Sequence, residues 1–227
     1  MASPFTLYVS APFARFQHLV SGRTRPCFDF MPPSAAYGFV LNLASVEMRE
    51  RGSKAITLIK KGLPRVRLAL AALEFPSKQR VYQHLHTYPQ DAVSRKEQEG
   101  VCFGAPGKIT PCWRELLVNF RAYISVWPEK GCEWLEERVR DGLAGKLDRY
   151  GVPFLGDSNF MVDEIRIVDE LDPAYWFVGV DGSNGYSARL TVTVNRKDTA
   201  RSVMGLFQPT PKPVVEIPKE AWVSVGY

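Results

Sequence analysis

The run VYQHLHTY carries the residue types most able to do chemistry in this chain. If residues 80–88 form a strand, side chains alternate and Tyr82, His84, His86 and Tyr88 share one face. Histidine titrates near neutrality, so such a face beside Arg80 and Lys108 is competent for metal-free phosphodiester cleavage. That reaction needs a base for the 2′-hydroxyl, an acid for the leaving 5′-oxygen and a cation for the crowded phosphorane. Tyr82, His84, His86 and Lys108 are the set that would serve. The His-x-His pair has no third ligand at a matching spacing, so neither metal nor cofactor is expected.

A second cluster is cationic. Arg15, Arg23 and Arg25, with Gln17 among them, precede a crowded helix start, MPPSAAYGF, in which Pro32 or Pro33 takes the first helical position. Arginine forks beside a helix N-terminus suit phosphate oxygens, and Ser34 and Tyr37 lie in the first turns. Tyr37 is a base platform or a core residue. Lys78, Arg80, Arg95, Lys96 and Lys108 fall in a segment, 76–112, with few apolar residues, and Arg114 begins the next strand. The bland alternatives are solvated or ion-paired arginines, Arg15 or Arg25 with Asp29 and Arg114 with Glu115.

The elements that must position these residues follow from periodicity. FTLYVSAPFARF is a strand, and residues 32–50 are a helix with Ala36, Phe39, Val40 and Leu43 on one face. KAITLIKKG and LPRVRLALAALEF predict two strands, and the polar stretch 89–111 an extended hairpin or mobile loop. CWRELLVNFRAYISVW is a strand. CEWLEERVRDGLAGKLDRYG is an amphipathic helix capped near Gly151, and MVDEIRIVDEL a further strand. The order strand–helix–strand–strand–helix–strand predicts an α+β, ferredoxin-like fold, the RRM-like arrangement. The tail predicts a hairpin about Asn184-Gly185, followed by proline-bearing chain that wraps the sheets. Residues 1–170 are read as one domain with an insertion at about 76–112, and 171–227 as a small β-rich extension packed on it.

The chain has 227 residues and a net charge of +5. Residues 1–130 hold 18 Lys and Arg against 9 Asp and Glu, or +9, whereas 131–227 hold 11 against 15, or −4. This asymmetry points to one surface for an anionic partner. No apolar run approaches the roughly 20 residues that span a bilayer, and the N-terminus lacks a signal-peptide pattern. A cytoplasmic protein without a membrane partner is expected, with Cys27, Cys102, Cys112 and Cys132 as reduced thiols. No Walker loop, dinucleotide fingerprint or G-x-S-x-G elbow occurs.

Four segments in order, VSAPFARF, MPPSAAYGFVLNL, TPCWRELLVNFRAYISVW and YGVPFLGDSNFMVDEI, resemble the family-five Cas protein of type I CRISPR systems. This is a RAMP-superfamily subunit, and the look is closest to its DevS-like, type I-B-like branch. The resemblance implies a ferredoxin-like body with a β-hairpin thumb that grips the 5′ handle of crRNA within Cascade. It also implies contacts with the backbone subunit and the large subunit, and with target DNA through the complex. Some members cut the repeat RNA themselves with a tyrosine and a Lys-His pair; no Lys-His dipeptide occurs here. The expectation is therefore a non-catalytic RNA-binding subunit. A pre-crRNA endoribonuclease is the first alternative and a stand-alone RRM-like RNA-binding protein the second. Asp157 stands where the family often has a basic residue.

Overall fold

The computed structural model describes residues 3–18, 24–50, 57–87, 108–182 and 185–227. In chain order the strands and helices are β1 (Phe5–Ala14), β2 (Thr24–Arg25), α1 (Pro33–Leu43), β3 (Arg49–Glu50), β4 (Leu58–Ile59) and β5 (Val66–Glu74). There follow β6 (Ser77–Thr87), β7 (Lys108–Pro128), α2 (Leu135–Leu143) and β8 (Glu164–Val168), then β9 (Tyr175–Gly179), β10 (Ala188–Thr193), β11 (Val203–Pro209) and β12 (Val223–Val225). A largely antiparallel sheet with two helices makes this an α+β protein.

Alternation explains the sheet. Phe5, Leu7 and Val9 of β1 pair with Val126, Ile124 and Ala122 of β7, and with Leu68 and Leu70 of β5 they turn one apolar face toward the helices. The order β8-β1-β7-β5 is antiparallel at every contact. Hydrophobic burial along this face supplies most of the driving force. The two helices touch where Gly142 lies against Leu43. A Cβ on Gly142 would stand 1.8 Å from the Leu43 carbonyl oxygen, so the close approach requires glycine.

The opposite face is covered too. Tyr123 and Trp176 lie parallel, 6.4 Å apart and both buried, beneath chain from the tail. Trp176 Nε1 donates to the Val214 carbonyl at 3.1 Å, and Ile217 and Trp222 pack over the same cluster.

Several expectations need correction. Helix α1 stops at Leu43 rather than near residue 50, because Ser45 adopts φ 56° and closes a Schellman motif. Val46 N–H donates to Leu41 O and Ser45 N–H to Asn42 O, so a serine fills the usual glycine position. Helix α2 ends the same way at Gly145, φ 73°, six residues before the expected Gly151. Of KAITLIKKG, only β4 is a strand among the described residues, in a two-stranded ribbon with β3 outside the main sheet. Gly62 at φ 74° then turns the chain into β5. The tail is not a hairpin of β9 with β10. β11 inserts between them, where buried Phe207 pairs with Ala188 on one side and Gly179 on the other. Since β9 also pairs with β5, the tail continues the main sheet edge to edge.

Candidate nucleic-acid interface

Strand β7 is 21 residues long, and along one edge it pairs first with β6 and then with β5. Its second half is central to the sheet. Its first half pairs with β6 from Thr87↔Lys108 to Ser77↔Val118, forming a ribbon outside the helix-covered sheet. Residues 88–107, between β6 and β7 in sequence, lie outside the described residues, and with them Arg95, Lys96 and Tyr88. His86 and Lys108 sit in the backbone ladder opposite Ile109 and Thr87, and their side chains are likewise beyond description.

One face of the ribbon carries Arg80, Tyr82 and His84 against Glu115, Trp113 and Pro111. Tyr82 and Trp113 are direct cross-strand partners with ring centroids 5.1 Å apart, and the His84 ring meets Tyr82 edge-on at 5.6 Å. Tyr82 is 56% exposed and Trp113 48%. Two large aromatics left half in water on a narrow ribbon are not core residues, and rings so exposed are able to stack on a flat partner. Residues 80–84 were legible as candidates; Trp113 was not, because its significance depends on the register that sets it opposite Tyr82.

The cations at the ribbon base are already engaged. Arg80 donates from Nε and Nη2 to Glu115 Oε1 at 3.0 and 2.8 Å. Lys78 Nζ reaches Asp29 at 2.5 Å, the Cys27 carbonyl at 3.0 Å and Glu115 at 3.9 Å. Burial pushes the Glu115 carboxyl upward, but the Cys27 N–H, Arg80 and Lys78 outweigh it and hold the group below its ordinary value. Of the alternative ion pairs, Arg114–Glu115 is not formed, since Arg80 holds Glu115, and Asp29 takes Lys78 rather than Arg15 or Arg25. Successive side chains along a strand point to opposite faces, so Arg114 faces away from Glu115.

On the other face Arg114 meets Arg15. Both are buried, at 6% and 3% exposure, and both turn to Asp157: Arg114 through a direct hydrogen bond, Arg15 at 3.6 Å. Gln17 accepts from Arg15 Nη1 at 2.9 Å, and Gln83 accepts from Arg114. Arg25, half-buried in β2, sits opposite Arg114 in a parallel pairing. Burial first, then the neighbouring Arg114, pushes the Arg15 guanidinium below its ordinary value, and Asp157 opposes this. Two sequence candidates are thus brought together, although neither is an open surface cation as expected.

Of the two readings of Tyr37, the structure selects the core one and removes Tyr37 from the candidate RNA contacts. Its ring is fully buried and its hydroxyl donates to the Pro64 carbonyl at 2.7 Å, so it is a core residue and no base platform. The helix start is also poorer in donors than expected. Pro33 has no N–H, and the N–H groups of Ala35 and Ala36 both go to the Pro32 carbonyl. Ser34 is half-buried there. Arg23 lies outside the described residues. Among the described residues no group of His, Cys, Asp or Glu is placed to hold a metal ion, and no helix is long and apolar enough to cross a membrane.

No protein-family model matches the sequence, and neither does any curated protein. Solved structures do match. A chain of a CRISPR RNA-guided surveillance complex superposes with a TM-score of 0.59 at 14% identity, over 93% of this chain and 91% of that one. A structure described as a Cas protein gives 0.52 at 10% identity, over 99% and 98%. The chain shares the fold of these CRISPR proteins. At such identities the agreement is one of backbone architecture across nearly the whole length of each chain.

Proposed function

We propose that this chain is an RNA-binding subunit of a type I CRISPR effector complex, the family-five RAMP protein that holds the 5′ handle of crRNA. The strand order β8-β1-β7-β5 around α1 and α2 is that of a ferredoxin-like body, and the β6–β7 ribbon is its thumb. Full-length likeness to a chain of an RNA-guided surveillance complex supports the same reading. Its partners are then crRNA, the backbone subunit and the large subunit in the cytoplasm, with target DNA met through the assembly.

The exposed Tyr82–Trp113 pair carries the proposal. Bases of a single strand stack on such rings whatever their sequence, each worth about 1–3 kcal/mol. An RRM-like mode, with bases on the open sheet face, is disfavoured by the tail that buries Tyr123 and Trp176. In this reading the protein does not cut RNA: Arg80, the cation nearest Tyr82 and His84 in sequence, is paired with Glu115, which competes with a phosphorane for it. Labelled repeat RNA incubated with the protein in EDTA, beside a His84→Ala/His86→Ala variant, tests both points. A native-gel shift with intact RNA is expected. A discrete cut lost in the variant would establish a ribonuclease instead.

A further inference from the structure

Arg15 and Arg114 are two buried guanidinium groups facing one carboxylate, so the cluster carries a surplus positive charge. Its donors are in surplus as well. Arg15 Nε and Nη2 and Arg114 Nε have no hydrogen-bond partner among the described residues and no contact with water. Buried charged N–H groups without acceptors are costly, and an acceptor that binds there is one explanation for keeping them.

The carboxylate arrives on a thin strap. Residues 154–161 form a loop closed by a Phe154↔Met161 bridge, with Leu155 N–H donating to Phe160 O at 3.2 Å. Leu155 is buried and its carbonyl accepts from Arg15 N–H at 2.9 Å, which anchors the base of the loop. Gly156 at φ 79° passes so near Arg15 that a Cβ would stand 2.1 Å from the Arg15 carbonyl oxygen. The tip is exposed at Ser158 and Asn159. Asp157 Oδ1 is occupied by Asn159, from N–H at 3.1 Å and Nδ2 at 3.0 Å, which leaves Oδ2 for the arginines. A single oxygen therefore meets two forks, each built to hold two.

We propose that Arg15 and Arg114 form a phosphate-binding position that Asp157 occupies in the free chain, an RNA phosphate entering by exchange with this carboxylate. The inference rests on the RNA-binding reading above. A phosphodiester brings the same single negative charge as the carboxylate it displaces, and two free oxygens where Asp157 offers one, which suits the unpartnered donors. The tip swings out while Leu155 stays seated. Because Arg114 and Trp113 are neighbours on opposite faces of the ribbon, one strand could place bases on the aromatic face and a phosphate on the other.

Asp157→Asn in the full chain tests this, since it removes the competing charge and keeps the shape. Single-stranded repeat RNA should bind about tenfold more tightly, with a salt slope steeper by about 0.7 for one added phosphate contact. Adding Arg114→Gln to that variant should abolish the gain. Inorganic phosphate should raise the Tm of Asp157→Asn more than that of the unaltered chain. If the variant folds poorly, recovery in phosphate supports the proposal and failure to recover overturns it. A phosphate-dependent Tm with unchanged RNA affinity would limit the position to free phosphate and overturn the exchange. Neither effect would make Asp157 a structural brace. RNA binding that persists through Tyr82 and Trp113 while Asp157→Asn changes nothing would refute this inference alone; no RNA binding by any variant would refute the function on which it rests.

Discussion

Replacing both Tyr82 and Trp113 by alanine separates recognition from folding. The two rings are about half exposed and touch each other across the ribbon at 5.1 Å. A cross-strand pair of this kind contributes about 0.2–1 kcal/mol to stability, so the melting temperature of a chain this size should fall by less than about 4 °C. Binding should suffer far more. If one or two bases stack on the pair, about 2–4 kcal/mol is lost, which is about 30- to 1,000-fold in affinity. Fluorescence anisotropy with labelled repeat RNA gives the affinity, and thermal melting followed by circular dichroism gives the stability. Each single variant should lose less than half of the combined effect in free energy if the second ring still offers a platform. Unchanged affinity in the double variant would refute the stacking argument. A large drop in melting temperature matching the drop in affinity would show the pair to be structural.

Tyr37→Phe should leave RNA affinity unchanged while costing about 1–3 kcal/mol, because the buried Pro64 carbonyl loses its donor; denaturant unfolding reads this. Gly142→Ala drives a methyl into the Leu43 carbonyl and should destabilise by about 1–3 kcal/mol or more through the helix contact, seen as a lower midpoint in the same assay. His18 stacks on Phe28 at 3.8 Å, and its burial, then Lys78, hold its protonation below the ordinary value of 6.5. A base depressed in the folded state contributes stability that is whole above 6.5 and is lost as the pH falls below it. Amide protection factors, corrected for the intrinsic pH dependence of exchange, should therefore fall around His18 and Phe28 in mild acid, and His18→Phe should flatten that dependence.

What the sequence carried, and what it left out, follows from the range of each signal. Alternation in β1, β5 and β7 is local and strong, so those strands were legible from Phe5, Leu7, Val9 and their counterparts. Helix ends were missed where the left-handed position is Ser45 rather than glycine, and where Gly145 rather than Gly151 closes α2. The pairing of β11 between β9 and β10 is a tertiary choice that a local turn signal such as Asn184-Gly185 does not report. At the interface, residue type pointed to Arg15, Arg80, Tyr82, His84 and Arg114. Only register could set Trp113 beside Tyr82 and place Arg114 on the face opposite Glu115. Burial decided Tyr37, whose position three residues after Ser34 suits a core ring as well as a surface one. Asp157 was noticed as a departure from a pattern, but its meeting with two arginines from β7 and the end of β1 lies far beyond sequence distance.

The central claim is that this chain holds the 5′ handle of crRNA. Its most direct test compares affinity for crRNA carrying the repeat-derived 5′ handle with that for the same guide lacking it, at one salt concentration. The account predicts clearly tighter binding of the handle-bearing RNA, by at least about tenfold, with the difference abolished by Tyr82→Ala/Trp113→Ala. Equal affinity for the two RNAs would contradict it.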